Sequence, residues 1–194
     1  MLLIHMAAAK KIETVIISLG GSVLAPAHID AAFLQQFTQL ILKFVHDGYR
    51  FVIICGGGKT AREYQKAARE VVHAIPEDLD WLGIHATRLN AHLLRTLFRE
   101  IAYQKVIKNP NRKIKMKESQ RVVIAAGWKP GWSTDYDAVL LAKNLGAKTV
   151  INITNTDFVY DKDPMKFSDA RPLRQTTWKD FRRLIGVTEW SHGL

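Results

Sequence analysis

The stretch FVIICGGGKTAREY at residues 51–64 decides the fold, because it joins a strand pattern, a turn and a helix pattern in direct succession. Residues 51–55 are apolar without interruption, and three glycines follow them at 56–58. An uninterrupted apolar strand is typical of a parallel sheet that helices cover on both faces. The glycines indicate a tight turn, and Thr60 is the predicted cap of a helix that runs toward Val72.

The same order of elements recurs along the chain. Residues 14–19 are a second apolar run, which meets a second glycine turn at 20–22, and a helical pattern then runs from Asp30 to a stop at Gly48. Buried strands that alternate with helices predict an α/β fold, a three-layer αβα sandwich around a mainly parallel central sheet. The other predicted elements are strands at 121–126 and 149–154, loops at 76–80 and 127–134, and helices at 80–103, up to Gly146 and at 178–185.

Length and composition favour one domain with anionic partners. The chain has 194 residues, 47% of them hydrophobic, which is enough for one sizeable core. We predict an N-terminal extension at 1–13 and a single domain at 14–194. The net charge of +10 favours nucleotides, phosphates, nucleic acid or an acidic membrane, and the sign of the charge does not choose among these partners.

Cysteine use and the first residues bear on the cellular compartment. Cys55 is the only cysteine, so the chain cannot form an internal disulfide, which fits a reducing compartment. Its place at the end of an apolar run predicts a buried side chain rather than a nucleophile. The N-terminal segment has its apolar residues before its lysines, the reverse of a secretory signal, and no apolar run is long enough to span a bilayer. We therefore expect a cytoplasmic protein without a membrane partner.

The two glycine turns are the first candidate binding elements. Each follows a strand and precedes a helix, so that backbone N–H groups and the positive end of a helix can face an anion. Neither turn has the lysine and serine of a P-loop, and residues 56–58 lack the dinucleotide-binding spacing. Arg62 lies on the first turn of the predicted helix, where it can clamp a phosphate. The alternative is a solvated arginine paired with Glu63 or Glu70.

Two polar clusters follow the later strands. In AGWKPGWSTDYDAVLLA, a turn precedes two hydroxyl residues, and Asp135 and Asp137 stand at the start of a helix, where aspartate is commonly a cap. In ITNTDFVYDKDP, the polar residues fit a loop that either holds a nucleotide or closes the surface. The polar residues of this second cluster are Thr154, Asn155, Asp157, Tyr160 and Asp163.

Five stretches together resemble the amino acid kinase superfamily, and within it the archaeal-type uridylate (UMP) kinases. They are SLGGSVL at 18–24, CGGGKTAREY at 55–64, DWLGIHATRLNAHLL at 80–94, PGWSTDYDAVLLA at 130–142 and ITNTDFVYDKDP at 153–164. They occur in the order that the family has, and the resemblance covers the chain from Thr14 to about Ile185. It implies transfer of a phosphoryl group from ATP to UMP, with Mg²⁺ carried by ATP and no metal ligand from the protein.

The resemblance also implies roles for individual residues. Arg62, Asp135, Gly21 and Ser22 would be catalytic, with Asp135 organising the centre. Contacts with ATP would come from Gly20, Gly21, Ser22, Gly58, Arg62, Thr154, Asn155, Tyr160 and Asp163. Contacts with UMP would come from Gly57, Asp80, Trp128, Lys129, Pro130, Gly131, Trp132, Ser133 and Thr134. Asp80 would bond the ribose of UMP, and the two tryptophans would either stack on a base or pack under the loop.

Assembly and chain length are further implications of the resemblance. The helix at 80–103 would pack across the interface of a homodimer, from which hexamers are built. Family members continue past the position of Leu194, so the fold is expected to lack their C-terminal part, which completes the ATP side.

Three alternatives remain beside a UMP kinase. A kinase of the isopentenyl phosphate type would have a histidine just after the glycine turn, and residues 59–62 contain none. A nucleotide-binding or storage protein would keep the fold without turnover. A nucleic-acid binder rests on residues 105–121, which hold seven Lys/Arg and one acidic residue. This segment has no aromatic residue for base stacking and is otherwise a solvated loop or sheet edge, so we expect no specific nucleic acid.

Overall fold

The protein is described here by a computed structural model that covers residues 12–184 and 186. Its sheet has four strands in the order β3-β2-β1-β4, and every neighbouring pair is parallel. The strands are β1 (Thr14–Leu19), β2 (Arg50–Cys55), β3 (Val122–Ala125) and β4 (Thr149–Ile153). The predicted α/β fold with a mainly parallel sheet is confirmed. The predicted 1–13 extension and the last residues of the chain lie largely outside the described residues.

Helices cover both faces of the sheet at β1, β2 and β3, whereas the edge strand β4 is largely exposed. The helices are α1 (Gly21–Leu24), α2 (Ala31–His46), α3 (Gly58–Val71), α4 (Pro76–Leu97), α5 (Thr134–Leu145) and α6 (Trp178–Leu184). In β2, Phe51 and Ile53 share a core cluster with residues of α2 and α4, whereas Val52 packs in a second cluster with α5. The alternation of side chains along a strand therefore fills two cores at once, which explains the uninterrupted apolar runs.

Cys55 ends β2 as a buried apolar residue. Its side chain is inaccessible to solvent, and burial raises the pKa of the thiol well above its ordinary range. The thiolate that a nucleophile requires is therefore disfavoured, and the predicted structural role of Cys55 is confirmed. Among the described residues, none of the helices combines the length and the apolar character needed to cross a bilayer.

Three predicted helix boundaries were wrong. Gly57, not Thr60, is the N-cap residue of α3, so Arg62 lies in the second turn. The predicted loop at 76–80 is the start of α4, where Pro76 fits the first turn because the missing N–H is not needed there. That helix ends at Leu97 instead of continuing to 103, because the chain turns at Phe98 and Ala102 pairs with Val122 at the sheet. The predicted end of the last helix, Ile185, lies outside the described residues.

Candidate active site

The two glycine turns touch each other at the carboxyl edge of the sheet. Since β1 and β2 are neighbours, the residues after them meet backbone to backbone. A Cβ atom added to Gly21 would lie 2.6 Å from Cα of Gly58, and one added to Gly56 would lie 3.1 Å from Cα of Gly21. Gly58 also has a φ of +65°, which favours glycine. Gly21, Gly56 and Gly58 therefore require the absence of a side chain, and the two turns meet main chain to main chain.

Helix α4 fixes the second glycine turn through a buried asparagine. The side chain of Asn90 is 2% exposed, and its Nδ2 donates hydrogen bonds to the carbonyl oxygens of Gly56 at 2.8 Å and Gly57 at 3.4 Å. Sequence reasoning did not identify Asn90, although it belongs to the stretch that carries the family resemblance. The sequence shows only a polar residue on the buried face of an amphipathic helix. A core asparagine without any role in a site would show the same pattern.

The 127–134 loop, which follows β3, is anchored at several backbone positions. Gly127 N–H donates to Oγ1 of Thr87 at 2.9 Å, and Gly131 N–H donates to Oδ2 of Asp80 at 2.7 Å. Arg88 donates weakly to the carbonyl of Trp128, at 3.4 Å. Asp80 thus holds the loop with one oxygen, and its predicted bond to a ribose stays a prediction.

Asp137 anchors the same loop from α5. Its carboxyl group is fully buried, Oδ2 accepts from Trp128 N–H at 3.1 Å, and Oδ1 has no hydrogen-bond partner within the described part of the chain. Loss of solvation raises the pKa of Asp137 from 3.8 to about 6, and the Trp128 N–H opposes this rise. The capping role considered for Asp135 and Asp137 was wrong, because Ser133 caps α5 by accepting from Tyr136 N–H at 3.1 Å.

Asp135 is tied to the central strand. Oγ of Ser18, which is 3% exposed in β1, donates to Oδ1 of Asp135 at 2.6 Å. The carboxylate is thereby held at the carboxyl end of β1, next to the glycine turns. Ser18 is a further residue that sequence reasoning did not assign to the site.

A cleft of about 320 Å³ opens between α3, α4 and the 127–134 loop. This volume falls in the range of small-molecule sites, roughly 300–1,000 Å³. Eight of the predicted site residues line it: Gly57, Gly58, Arg62, Asp80, Lys129, Trp132, Ser133 and Thr134. The cleft therefore brings together the turn after β2, the N-terminal half of α4 from Asp80 onward and the loop after β3.

Arg62 faces this cleft without an ionic partner among the described residues. The alternative pairing with Glu63 or Glu70 is not formed. Lys59 lies 3.5 Å from Glu63, and Lys66 lies 3.7 Å from Glu70, both as exposed pairs along α3. Each of the two glutamates pairs with the lysine four positions earlier. The guanidinium group of Arg62 therefore remains available to a ligand in the cleft.

Aromatic rings support the wall of the cleft. The rings of Trp128 and Trp132 meet edge to face at 4.9 Å, and Trp132 meets Tyr136 in the same way at 4.7 Å. The Nζ atom of Lys129 lies 4.4 Å from the ring centre of Trp128 and 4.8 Å from that of Trp132. The two tryptophans thus contact each other edge to face and both contact an ammonium group, while Trp132 also lines the cleft.

On its other side, the first glycine turn meets the segment after β4. Gly20 N–H donates to the carbonyl of Ile153 at 2.8 Å, and Oγ of Ser22 lies 3.5 Å from Oδ1 of Asn155. Thr154 donates to the same amide oxygen at 3.3 Å. The chain leads from β1 to β2 and β3 on one side of β1, and then crosses to β4 on the other side of β1. In such sheets, ligands bind at the carboxyl ends of the two strands between which the direction changes, here β1 and β4.

Tyr160 and Asp163 lie farther along the chain after β4. Tyr160 pairs with Pro172, and Asp163 accepts from Met165 N–H at 2.9 Å and lies 3.7 Å from Lys166. These contacts belong to a local turn structure at residues 159–173. Their predicted role at an ATP site stays a prediction.

Comparisons with known proteins agree with this architecture. The model of the amino acid kinase family matches residues 13–193. The uridylate kinase of Sulfurisphaera tokodaii is 39% identical over 164 residues, which are 82% of this chain and 72% of that protein. The uridylate kinase of Thermoplasma volcanium is 41% identical over 162 residues, 82% of this chain and 68% of that protein.

Solved structures of kinases also resemble this chain. The uridylate kinase from Archaeoglobus fulgidus superposes with a TM-score of 0.75 at 35% identity, over 89% of this chain and 77% of that one. The aspartate kinase from Synechocystis superposes with a TM-score of 0.70 at 17% identity, over 89% of this chain and 33% of that one, a likeness of fold alone.

Proposed function

The chain belongs to the amino acid kinase family, as its motifs predict, and we propose that it is a uridylate kinase, which transfers the γ-phosphoryl group of ATP to UMP and releases ADP and UDP. The observation that carries this proposal is the contact between Gly21 and Gly58, which joins two bare turns at one edge of the sheet. Two phosphate groups on these turns would be direct neighbours. The similarity to archaeal uridylate kinases supports UMP as the acceptor.

The donor and the acceptor would occupy different parts of this edge. ATP would lie at the ends of β1 and β4, where the turn at 20–22 meets Thr154 and Asn155. UMP would lie in the cleft between α3, α4 and the 127–134 loop. The glycine turns would separate the two nucleosides and bring their phosphates together.

The chemistry of the acceptor fits a site that has no dedicated base. The second pKa of a phosphate monoester is about 6, so UMP is largely a dianion at neutral pH and is already a nucleophile. The remaining task is to align two anions that repel each other and to stabilise the charge between them. Main-chain N–H groups and the guanidinium group of Arg62 would do this, with Asp135 organising the edge near β1.

Mg²⁺ would enter with ATP. The described residues include no group of three or more His, Cys, Asp and Glu side chains that could hold a metal ion by themselves. Substrate phosphates commonly supply most of the ligands of Mg²⁺. The ion would offset the charge of the donor phosphates, while the chain's own residues bind and orient both nucleotides.

We also propose that the chain forms a homo-oligomer through α4. Trp81 and Leu89 are exposed by 37% and 64%, and with His85 between them they are spaced four residues apart on one face of this helix. Apolar side chains on one exposed stripe are typical of an interface between copies. The predicted hexamer, the cytoplasmic location and the absence of a nucleic-acid ligand stay predictions.

An assay of ADP release in the presence of Mg-ATP tests the proposed function. We expect the release to depend on UMP and to be faster with UMP than with CMP, AMP or isopentenyl phosphate. ADP release that is independent of UMP, or that is faster with isopentenyl phosphate, would contradict the proposal. Calorimetric titration with UMP would identify a protein that binds the nucleotide without turnover.

A further inference from the structure

Lys129 is an exposed lysine whose ammonium group is nevertheless held in place. Its Nζ atom lies 4.4 Å and 4.8 Å from the ring centres of Trp128 and Trp132, within the distance of a cation–π contact. The two indoles support each other at 4.9 Å, and Tyr136 supports Trp132 at 4.7 Å. The ammonium group therefore contacts the aromatic rings of the loop that carries it.

The loop beneath Lys129 is fixed as well. The N–H groups of Gly127, Trp128 and Gly131 donate to Thr87, Asp137 and Asp80 at 2.9, 3.1 and 2.7 Å. The acceptors come from α4 and α5, which both pack on the sheet. The backbone on both sides of Lys129 is thus anchored to helices that pack on the sheet.

The charge of Lys129 is not neutralised within the described residues. The ion pairs in this part of the chain involve Lys59, Lys66, Lys162, Lys166 and Arg183. Asp80 and Asp137, the carboxylates that hold the loop, are directed to backbone N–H groups. Lys129 and Arg62 therefore line the same cleft from different elements, and both cations lack an acidic partner there.

We propose that Lys129 is a second cationic ligand of the acceptor phosphate and acts together with Arg62. The inference rests on the proposed function, because it concerns the phosphate of the UMP in the cleft. A dianionic phosphate is a better partner for an ammonium group than the neutral uracil base, since both of its charges attract the lysine. The indole rings lie within cation–π distance of the ammonium group and favour its charged form.

Calorimetric titration with UMP and with uridine, which lacks the phosphate, tests this role. We expect Lys129→Met to weaken the binding of UMP about 10- to 100-fold, the range for a hydrogen bond to a charged group, and to leave the binding of uridine unchanged. Lys129→Arg restores the charge and should recover part of the affinity for UMP. Lys66→Met is the matched control, because Lys66 is 77% exposed, pairs with Glu70 and lies outside the cleft.

The outcomes separate this inference from the proposed function. If the wild-type protein binds UMP and Lys129→Met binds it equally well, the inference is wrong and the proposed function stands. An equal loss of affinity for UMP and uridine also overturns the inference, since Lys129 would then shape the loop instead of binding the phosphate. A wild-type protein that does not bind UMP overturns both.

Discussion

Arg62 shows how neighbouring residues decide what a single side chain can do. The two glutamates that could have neutralised it are paired with Lys59 and Lys66 along the outer face of α3. Such exposed pairs contribute little to stability, about 0.3–0.5 kcal/mol each. Their consequence for the site is larger, because they leave the guanidinium group of Arg62 without an ionic partner in the cleft, where it can bind an anionic ligand.

Replacement of Arg62 tests its contact with the acceptor. We expect Arg62→Ala to lower kcat/KM for UMP by roughly 10- to 100-fold, because a hydrogen bond to a charged group contributes about 1.5–3 kcal/mol. The thermal midpoint of unfolding should not change, since the side chain is exposed and unpaired in the described structure. Arg69→Ala, at the far end of α3, is the control with the same loss of charge. Equal kinetics for both variants would refute the assignment of Arg62.

Asp137 makes stability depend on pH. Its folded-state pKa of about 6 lies above the ordinary value of 3.8, so the folded protein binds a proton more readily than the unfolded chain does. The free energy of unfolding therefore falls as the pH rises from about 4 through about 6. At higher pH the buried carboxylate is fully charged, and its destabilising effect is complete. Asp137→Asn keeps an acceptor for Trp128 N–H and removes the charge.

We expect Asp137→Asn to be more stable than the wild type at pH 7, by roughly 1–2 kcal/mol, which is part of the free energy to which the pKa difference corresponds. Urea unfolding at several pH values measures the difference between the two proteins. The difference should shrink toward zero near pH 4. A difference that is constant from pH 4 to pH 7 would show that the carboxyl group does not titrate as described.

At this scale the sequence predicted charged residues better than buried polar ones. Arg62 stood out because it follows a glycine turn, and the structure places it in the cleft. Ser18, Thr87 and Asn90 were missed, because one polar residue on a buried face looks the same whether it holds a functional loop or satisfies the core. Only the position of the neighbouring strands reveals that Asn90 reaches Gly56 and Gly57.

Among the elements, the glycine turns are the least tolerant of change. A methyl group on Gly21 would press against the main chain of Gly58, which cannot move aside as a flexible side chain can. We expect Gly21→Ala to reduce phosphoryl transfer more than about 100-fold, since a displacement of about 1 Å at the reacting groups has an effect of that order. The ADP-release assay measures this change.

Gly48→Ala is the control for the glycine substitution. Gly48 has a φ of +98° and open space around its Cα, and it lies in the turn before β2, at the opposite edge of the sheet. Its replacement should cost about 1–2 kcal/mol of stability through backbone strain and leave the kinetics unchanged. Full activity in Gly21→Ala would contradict the proposal that the two turns carry the phosphates.

Helix α4 is expected to act as the support of the second glycine turn. Asn90→Ala leaves the buried carbonyl group of Gly56 without its donor and removes one of the two donors to the carbonyl group of Gly57. We therefore expect a loss of about 1–3 kcal/mol in the free energy of unfolding together with a higher KM for UMP. Thr96→Ala, which removes an exposed hydroxyl group from the same helix, should stay within about 0.5 kcal/mol of the wild type. Denaturant unfolding and steady-state kinetics measure both effects. A normal KM in Asn90→Ala would limit this residue to a role in folding.

The strands were easier to predict than the ends of the helices. A strand between two helix layers is mostly apolar, and this signal gave β1, β2 and β3 to within a residue or so at each end. The edge strand β4 was predicted as closely from its β-branched residues, although Val150 and Ile151 are exposed by 41% and 43%. The end of α4 was missed, because Ile101 continues the apolar pattern although it packs against the core from a turn. The start of α4 was missed because Pro76 was interpreted as a loop residue, and proline is equally compatible with a first helical turn.

For the whole molecule, the order of the strands is the decisive property, and the sequence alone did not provide it. The alternation of strands and helices predicts a parallel sheet whose glycine turns share one edge. It does not say which strands are neighbours. The observed order puts β1 between β2 and β4, so the turn at 20–22 meets both the turn at 56–58 and the segment with Asn155.

This arrangement leads to the central claim, that the abutting turns bring the phosphates of ATP and UMP together for one direct transfer. The stereochemical course of the reaction tests it, with ATP made chiral at the γ-phosphorus by oxygen isotopes and the configuration read in the UDP that forms. A single in-line transfer inverts the configuration, and we expect inversion. Retention, which requires a covalent intermediate on the protein, or the absence of labelled UDP would contradict the claim.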